Sequence, residues 1–170
     1  MEHNFNDGGR RAAGFSAPAK DCTVRAVAIA TGRDYMAVYN DLKALAPRLD
    51  DEGVNVYGAF PAYMKSLGFA WVPIIPRPNI PDNTHLDELP KGRVIAAVKE
   101  HVTAIIDGVI EDTIDTVGEP VHGYWILNPT KLFNVVQGEK RLNSNPLNYS
   151  QALKMRSLFE LNYGGKVFVL

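Results

Sequence analysis

Apolar positions three and four apart open the readable part of the chain. Over residues 20–32, Val24, Val27, Ala28 and Thr31 fall on one helical face. Asp21 stands where an N-cap belongs and Gly32 where a helix stops. A second helix is predicted beyond Asp34, its cap, with Tyr35, Val38, Leu42 and Leu45 as the buried stripe and Pro47 just past its end. A third is predicted over 56–67, with Phe60, Met64 and Leu67 inward and Gly68 as its stop. Pro61 lies near its first turn, where proline is tolerated.

The period then changes. Residues 69–75 read as a short strand. Pro73, Pro76, Pro78, Pro81 and Pro90 make 76–92 a loop and argue against a helix there. The segments 93–106 and 109–114 are rich in Val and Ile and are joined by Asp107-Gly108, the pattern of a hairpin with a two-residue turn. A further strand is expected at 124–127, closed by Asn128-Pro129. The mildly basic end is read as a helix over 149–161, then Gly164-Gly165 and a last strand over 166–170. Residues 1–19, rich in Gly, Ala, Asn and Arg, read as an irregular arm. Helices come first and antiparallel strands later, which predicts an α+β fold with helices packed on or beside the sheet.

Length changes this picture little: 170 residues suit one domain with a sizeable core. A formal net charge of -1 gives no electrostatic argument for nucleic acid or an anionic membrane as partner. The first fifteen residues lack the apolar run of a signal peptide, and no stretch approaches a membrane span. The single cysteine, Cys22, excludes an internal disulfide and a Cys-rich zinc site, and points to a reducing cytoplasm. The scattered histidines lack metal-ligand spacing, so neither metal nor cofactor is expected.

The candidate chemistry begins at Cys22, the first residue after the cap. The unpaired amides and dipole of a helix start favour an anion, and a thiolate is one. The adjacent Asp21 acts against it. The other reading of Cys22 is a small, buried, inert side chain. A nucleophilic cysteine needs a base. Of the four histidines, His3 is in the arm, His85 in the proline-rich loop and His122 at a turn. His101 is inside the hairpin. With Asp107-Gly108 as the turn, Ile106 faces Val109, Ala104 faces Glu111, and residues 101, 103, 105, 110, 112 and 114 share one face. Asp112, rather than Glu111 or Asp115, is then diagonal to His101 and placed to orient it. A purely structural His–Asp pair at a strand end remains the alternative.

The runs around Asp21-Cys22-Thr23-Val24-Arg25-Ala26, Leu67-Gly68-Phe69-Ala70-Trp71, Leu89-Pro90-Lys91-Gly92-Arg93, His101-Val102-Thr103 to Glu111-Asp112-Thr113, and Gly123-Tyr124-Trp125 resemble small phage and bacterial proteins of papain-like type, related to the clan CA cysteine peptidases. The resemblance spans roughly residues 7–125. It implies a papain-like domain with a core over about 7–128 and an extension over about 129–170, and a catalytic set of Cys22, His101 and Asp112. It also implies a peptidase or amidase acting in the cytoplasm, that of the host if phage-encoded. A protein or peptide is the implied partner, a host or virion protein among the candidates. Two rivals stay open: a catalytically weak papain-like binding module, and an acyl transferase of transglutaminase-like chemistry. The chain departs from the pattern in three places. Asp21 and Glu111 stand where Asn and His are common, and no Gln precedes Cys22 to line an oxyanion hole. Ser16, Asn6 or backbone amides near Cys22 would have to serve.

Overall fold

A computed structural model of the protein describes residues 1–16, 20–54, 58–74, 84–127, 135–137, 140–142, 155, 159 and 168–169. Contacts divide the chain into two units, Met1–Leu127 and Asn128–Leu170.

The first unit is a six-stranded mixed sheet with helices against it, so the α+β expectation holds. The strands are β1 (Glu2–Phe5), β2 (Phe69–Pro73), β3 (Arg93–Val98), β4 (His101–Ile106), β5 (Val109–Asp112) and β6 (Gly123–Leu127), in the order β1-β5-β4-β3-β6-β2. The helices are α1 (Cys22–Thr31), α2 (Tyr35–Leu45), the short α3 (Leu49–Glu52) and α4 (Phe60–Ser66).

The apolar runs explain how the sheet is covered. Residues 94–98, Val-Ile-Ala-Ala-Val, show no polar alternation because both faces of β3 are buried. On one face, Ile95, Ala97, Val102, Ala104 and Trp125 join Val24, Val27, Val38, Leu42, Phe60 and Met64 of the helices in one core. On the other, Val94, Ala96, Val98, Ile105 and Ile110 pack with Leu86 and Val121.

Helix ends follow the expected signals in part. Gly32 takes the left-handed conformation that ends α1, and the Asp34 carboxylate caps α2 by accepting from Ala37 N–H. Leu45, predicted as the last residue of the α2 stripe, is exposed. The predicted third helix is shorter, starting at Phe60 with Pro61 in its first turn; residues 55–57 lie outside the described residues. In the proline-rich loop, residues 75–83 are likewise outside, and Leu86–Glu88 forms one 3-10 turn, where no helix was expected.

Three further expectations are corrected. The single strand over 93–106 is two strands, turned at Lys99-Glu100; Glu100 adopts φ 54, a conformation usual for Gly or Asn, which hid the turn. The strand over 109–114 ends at Asp112. The N-terminal arm is not irregular throughout. Glu2–Phe5 pairs in parallel with β5, which makes the sheet mixed rather than antiparallel. Its residues are mostly exposed, so no apolar alternation marked it. Backbone pairing and the Asn4 and Asn6 side-chain amides, both donating to the Glu111 carboxylate, hold it.

In the second unit, β7 (Val135–Gln137), β8 (Lys140–Arg141) and β9 (Phe168–Val169) form an antiparallel sheet in the order β8-β7-β9. The helix predicted over 149–161 lies outside the described residues apart from Met155 and Phe159, both helical.

Candidate active site

Cys22 is the first residue of α1 and is partly buried. The first helical hydrogen bond runs from Arg25 N–H to the Asp21 carbonyl, so the amides of Cys22, Thr23 and Val24 precede it. Asp21 occupies the N-cap position, but its side chain makes no cap bond. The start of the helix thus keeps its positive end facing the thiol. Thr23 Oγ1 lies 4.0 Å from the Cys22 sulfur.

His101 opens β4 and Asp112 closes β5, at the same end of the sheet. The register is the one that the Asp107-Gly108 turn predicts, with Ile106 opposite Val109 and Ala104 opposite Glu111. His101 Nε2 lies 2.7 Å from Asp112 Oδ2, whereas Asp115 Oδ1 is engaged by Val117 N–H. Alternation alone does not bring this pair to Cys22. Val98, the partner of His101 across the β3–β4 turn, packs in the core on the face away from α1. His101 and Asp112 are terminal residues of their strands, and Asp112 reaches α1 through Arg25.

With Nε2 on Asp112, Nδ1 is the ring nitrogen left for the thiol. The electrostatics follow from these contacts. Burial pushes the Cys22 thiol up, but His101, helped by the Val102 amide and the Thr23 hydroxyl, brings it below its ordinary value; of these only Thr23 Oγ1 meets standard hydrogen-bond geometry with the sulfur. Burial alone would lower His101; Asp112 and Cys22 outweigh it and raise the ring to about 9. Burial likewise opposes the Asp112 charge, and the His101 hydrogen bond and charge, then Thr103 and Arg25, hold its carboxyl below the usual range. The Thr103 hydroxyl acts from outside standard hydrogen-bond geometry. Each shift favours a thiolate, an imidazolium and a carboxylate together.

The backbone of Asp112 is fixed too. Its carbonyl accepts from Asn6 N–H at 3.0 Å and lies 3.1 Å from His3 Nε2, and its Oδ1 accepts from Thr113 N–H at 2.6 Å. His3, read from sequence as part of a loose arm, therefore braces this strand.

Asp21 does not act as expected. Its carboxylate turns to Arg10 Nε at 2.7 Å, Tyr35 Oη at 2.6 Å and Arg25 Nη1, so two guanidiniums compensate its charge. Arg25 also reaches Asp112, with Nη2 3.6 Å from Oδ1. Sequence reasoning missed Arg25, although its position four residues after Asp21 is the spacing of an ion pair on one helical face. Of the side chains considered for an oxyanion hole, Asn6 is committed, donating to Glu111 and accepting from Gly8 N–H, and Ser16 is exposed. Among the described residues no group of three or more His, Cys, Asp and Glu converges to hold a metal ion, and no helix is long and apolar enough to cross a membrane. Comparisons with protein families, with curated proteins and with solved structures find no match.

Proposed function

We propose that the protein is a thiol hydrolase of papain-like design, a peptidase or amidase working through Cys22, His101 and Asp112. The observation that carries this reading is the His101–Asp112 pair, Nε2 to Oδ2 at 2.7 Å, with a ring that lowers the pKa of the thiol at the start of α1. A structural His–Asp pair needs no thiol on its other side.

The chemistry runs from the resting ion pair. The Cys22 thiolate attacks the carbonyl carbon of an amide, and the carbonyl π electrons move to oxygen. The Cys22 amide, at the positive end of α1, is the donor best placed to receive that oxyanion. His101 gives its proton to the leaving nitrogen as the C–N bond breaks, and a thioester remains. Neutral His101 then takes a proton from water, the hydroxide adds to the thioester, and the thiolate leaves as the acid forms. Asp112 keeps the ring oriented and stabilises its cationic form throughout.

The direct test is trapping. A peptide-bearing electrophile such as a peptidyl fluoromethyl ketone should add one mass increment at Cys22 and none in His101→Ala. Cys22→Ala should abolish hydrolysis with its melting temperature nearly unchanged, because one sulfur leaves a partly exposed site. Retained hydrolysis in Cys22→Ala would end the reading. One observation favours a binding module instead: the Asn6 side chain is consumed elsewhere, which leaves the oxyanion hole without a side-chain amide from that residue. Labelling without turnover across a peptide library would be its result.

A further inference from the structure

We propose that Arg25 is a positioning residue for this site: anchored on Asp21, its guanidinium carries a fixed positive charge to Asp112 and so to the Cys22–His101 pair. This inference rests on the hydrolase reading.

The anchoring is geometric. Arg25 is buried, with 9% of its side chain exposed, and its two terminal nitrogens meet different carboxylates, Nη1 that of Asp21 and Nη2 that of Asp112. The other Asp21 oxygen is taken by Arg10 and Tyr35, so the anchor cannot swing away. The backbone of Arg25 is held as well. Gly8, at φ +63, packs so closely that an added Cβ would lie 3.1 Å from the Arg25 carbonyl oxygen. The N-terminal segment thus clamps Arg25 from behind while Asp21 clamps its head.

The charges facing this cluster come from every element around it. Asp21, Cys22 and Arg25 belong to the start of α1, His101 to β4, and Asp112 and Glu111 to β5; His3 and Arg10 come from the N-terminal segment and Tyr35 from α2. Glu111 is turned to Asn4 and Asn6. Two arginines therefore balance Asp21 and Asp112, and the thiolate and imidazolium balance each other. Removal of Arg25 leaves one uncompensated negative charge beside the thiolate. In a site shielded from water, each proton there is then held more tightly, and the thiolate forms only at higher pH. An arginine with a merely structural role would lower stability and leave the thiol's titration alone.

The experiment measures the rate of Cys22 alkylation by iodoacetamide against pH, on the full chain, by intact mass. The midpoint in Arg25→Met should rise by about one pH unit. Arg25→Lys, which keeps the charge, should restore most of it. Should Arg25→Met fail to fold, Asp21→Asn and the double variant Asp21→Asn/Arg25→Met differ only by the arginine, and the same rise is expected between them. A folded variant whose midpoint matches its reference overturns the inference. If the unmodified protein has a low midpoint and the variants do not move it, only the role of Arg25 falls. If unmodified Cys22 titrates like a free thiol near ~8.5, the hydrolase reading falls and this inference with it.

Discussion

Two buried carboxylates touch the same arginine and do different things. At the start of α1, Asp21 has both oxygens on Arg10, Arg25 and the Tyr35 hydroxyl. At the end of β5, Asp112 gives one oxygen to the Thr113 amide and to Arg25, and the other to His101, which does titrate. Burial is nearly equal, 3% exposure for each residue. The partner decides the role. A carboxylate held by two guanidiniums and a phenol stabilises a junction, whereas one that shares a proton-carrying ring can tune that ring.

Asp112→Asn should lower turnover by at least about a hundredfold while alkylation of Cys22 falls much less. The amide misorients a ring that need only be nearby to attract the thiolate. Steady-state kinetics beside alkylation rates on one preparation read this split. Equal losses in both would mean that Asp112 acts only through charge.

Asp21→Asn should show the opposite profile. It leaves buried Arg10 and Arg25 short of a counter-charge, and breaking a buried pair from one side costs about 3 kcal/mol. Removing a negative charge beside Cys22 should move its alkylation midpoint down or leave it in place. Denaturant unfolding together with the alkylation curve checks both parts. A stable Asp21→Asn protein with a raised midpoint would erase the distinction between the two carboxylates.

A smaller effect sharpens the titrating side. A ring raised to about 9 binds its proton more tightly in the folded protein than in the unfolded chain, whose His value is 6.5. Its stabilisation is complete below 6.5 and is lost as pH rises toward the folded value. The lowered thiol contributes the opposite slope, because the unfolded chain holds that proton up to the ~8.5 of a free thiol. In the unmodified protein the two slopes oppose each other. In Cys22→Ala only the histidine remains, so the melting temperature should decline from pH 6.5 upward. In Cys22→Ala/His101→Ala that decline should disappear.

What the chain discloses before folding follows from how local each signal is. Asp107-Gly108 states its turn in two residues, and that turn fixed the register that selects Asp112 over Asp115. Lys99-Glu100 makes a turn just as tight, but Glu100 at φ 54 carries no side-chain signature of it. Cys22 at a helix start was legible because α1 has an apolar stripe and ends at Gly32. Strand β1 was not, because it is held by backbone pairing and by Asn4 and Asn6 on Glu111, polar contacts more than a hundred residues apart in the chain. Asp21 occupies its predicted position with the wrong partners. Its cap role lost to two arginines and a tyrosine, only one of which lies on the same helix.

A thiolate–imidazolium pair assembled at the start of α1 would show in the pH dependence of Cys22 alkylation in the unmodified protein, measured with His101→Ala beside it. Rapid modification is expected already near pH 6, well below the ~8.5 of a free thiol, with a curve in His101→Ala that moves up toward that value. Modification of the unmodified protein only above about pH 8, with no further change in His101→Ala, would contradict it.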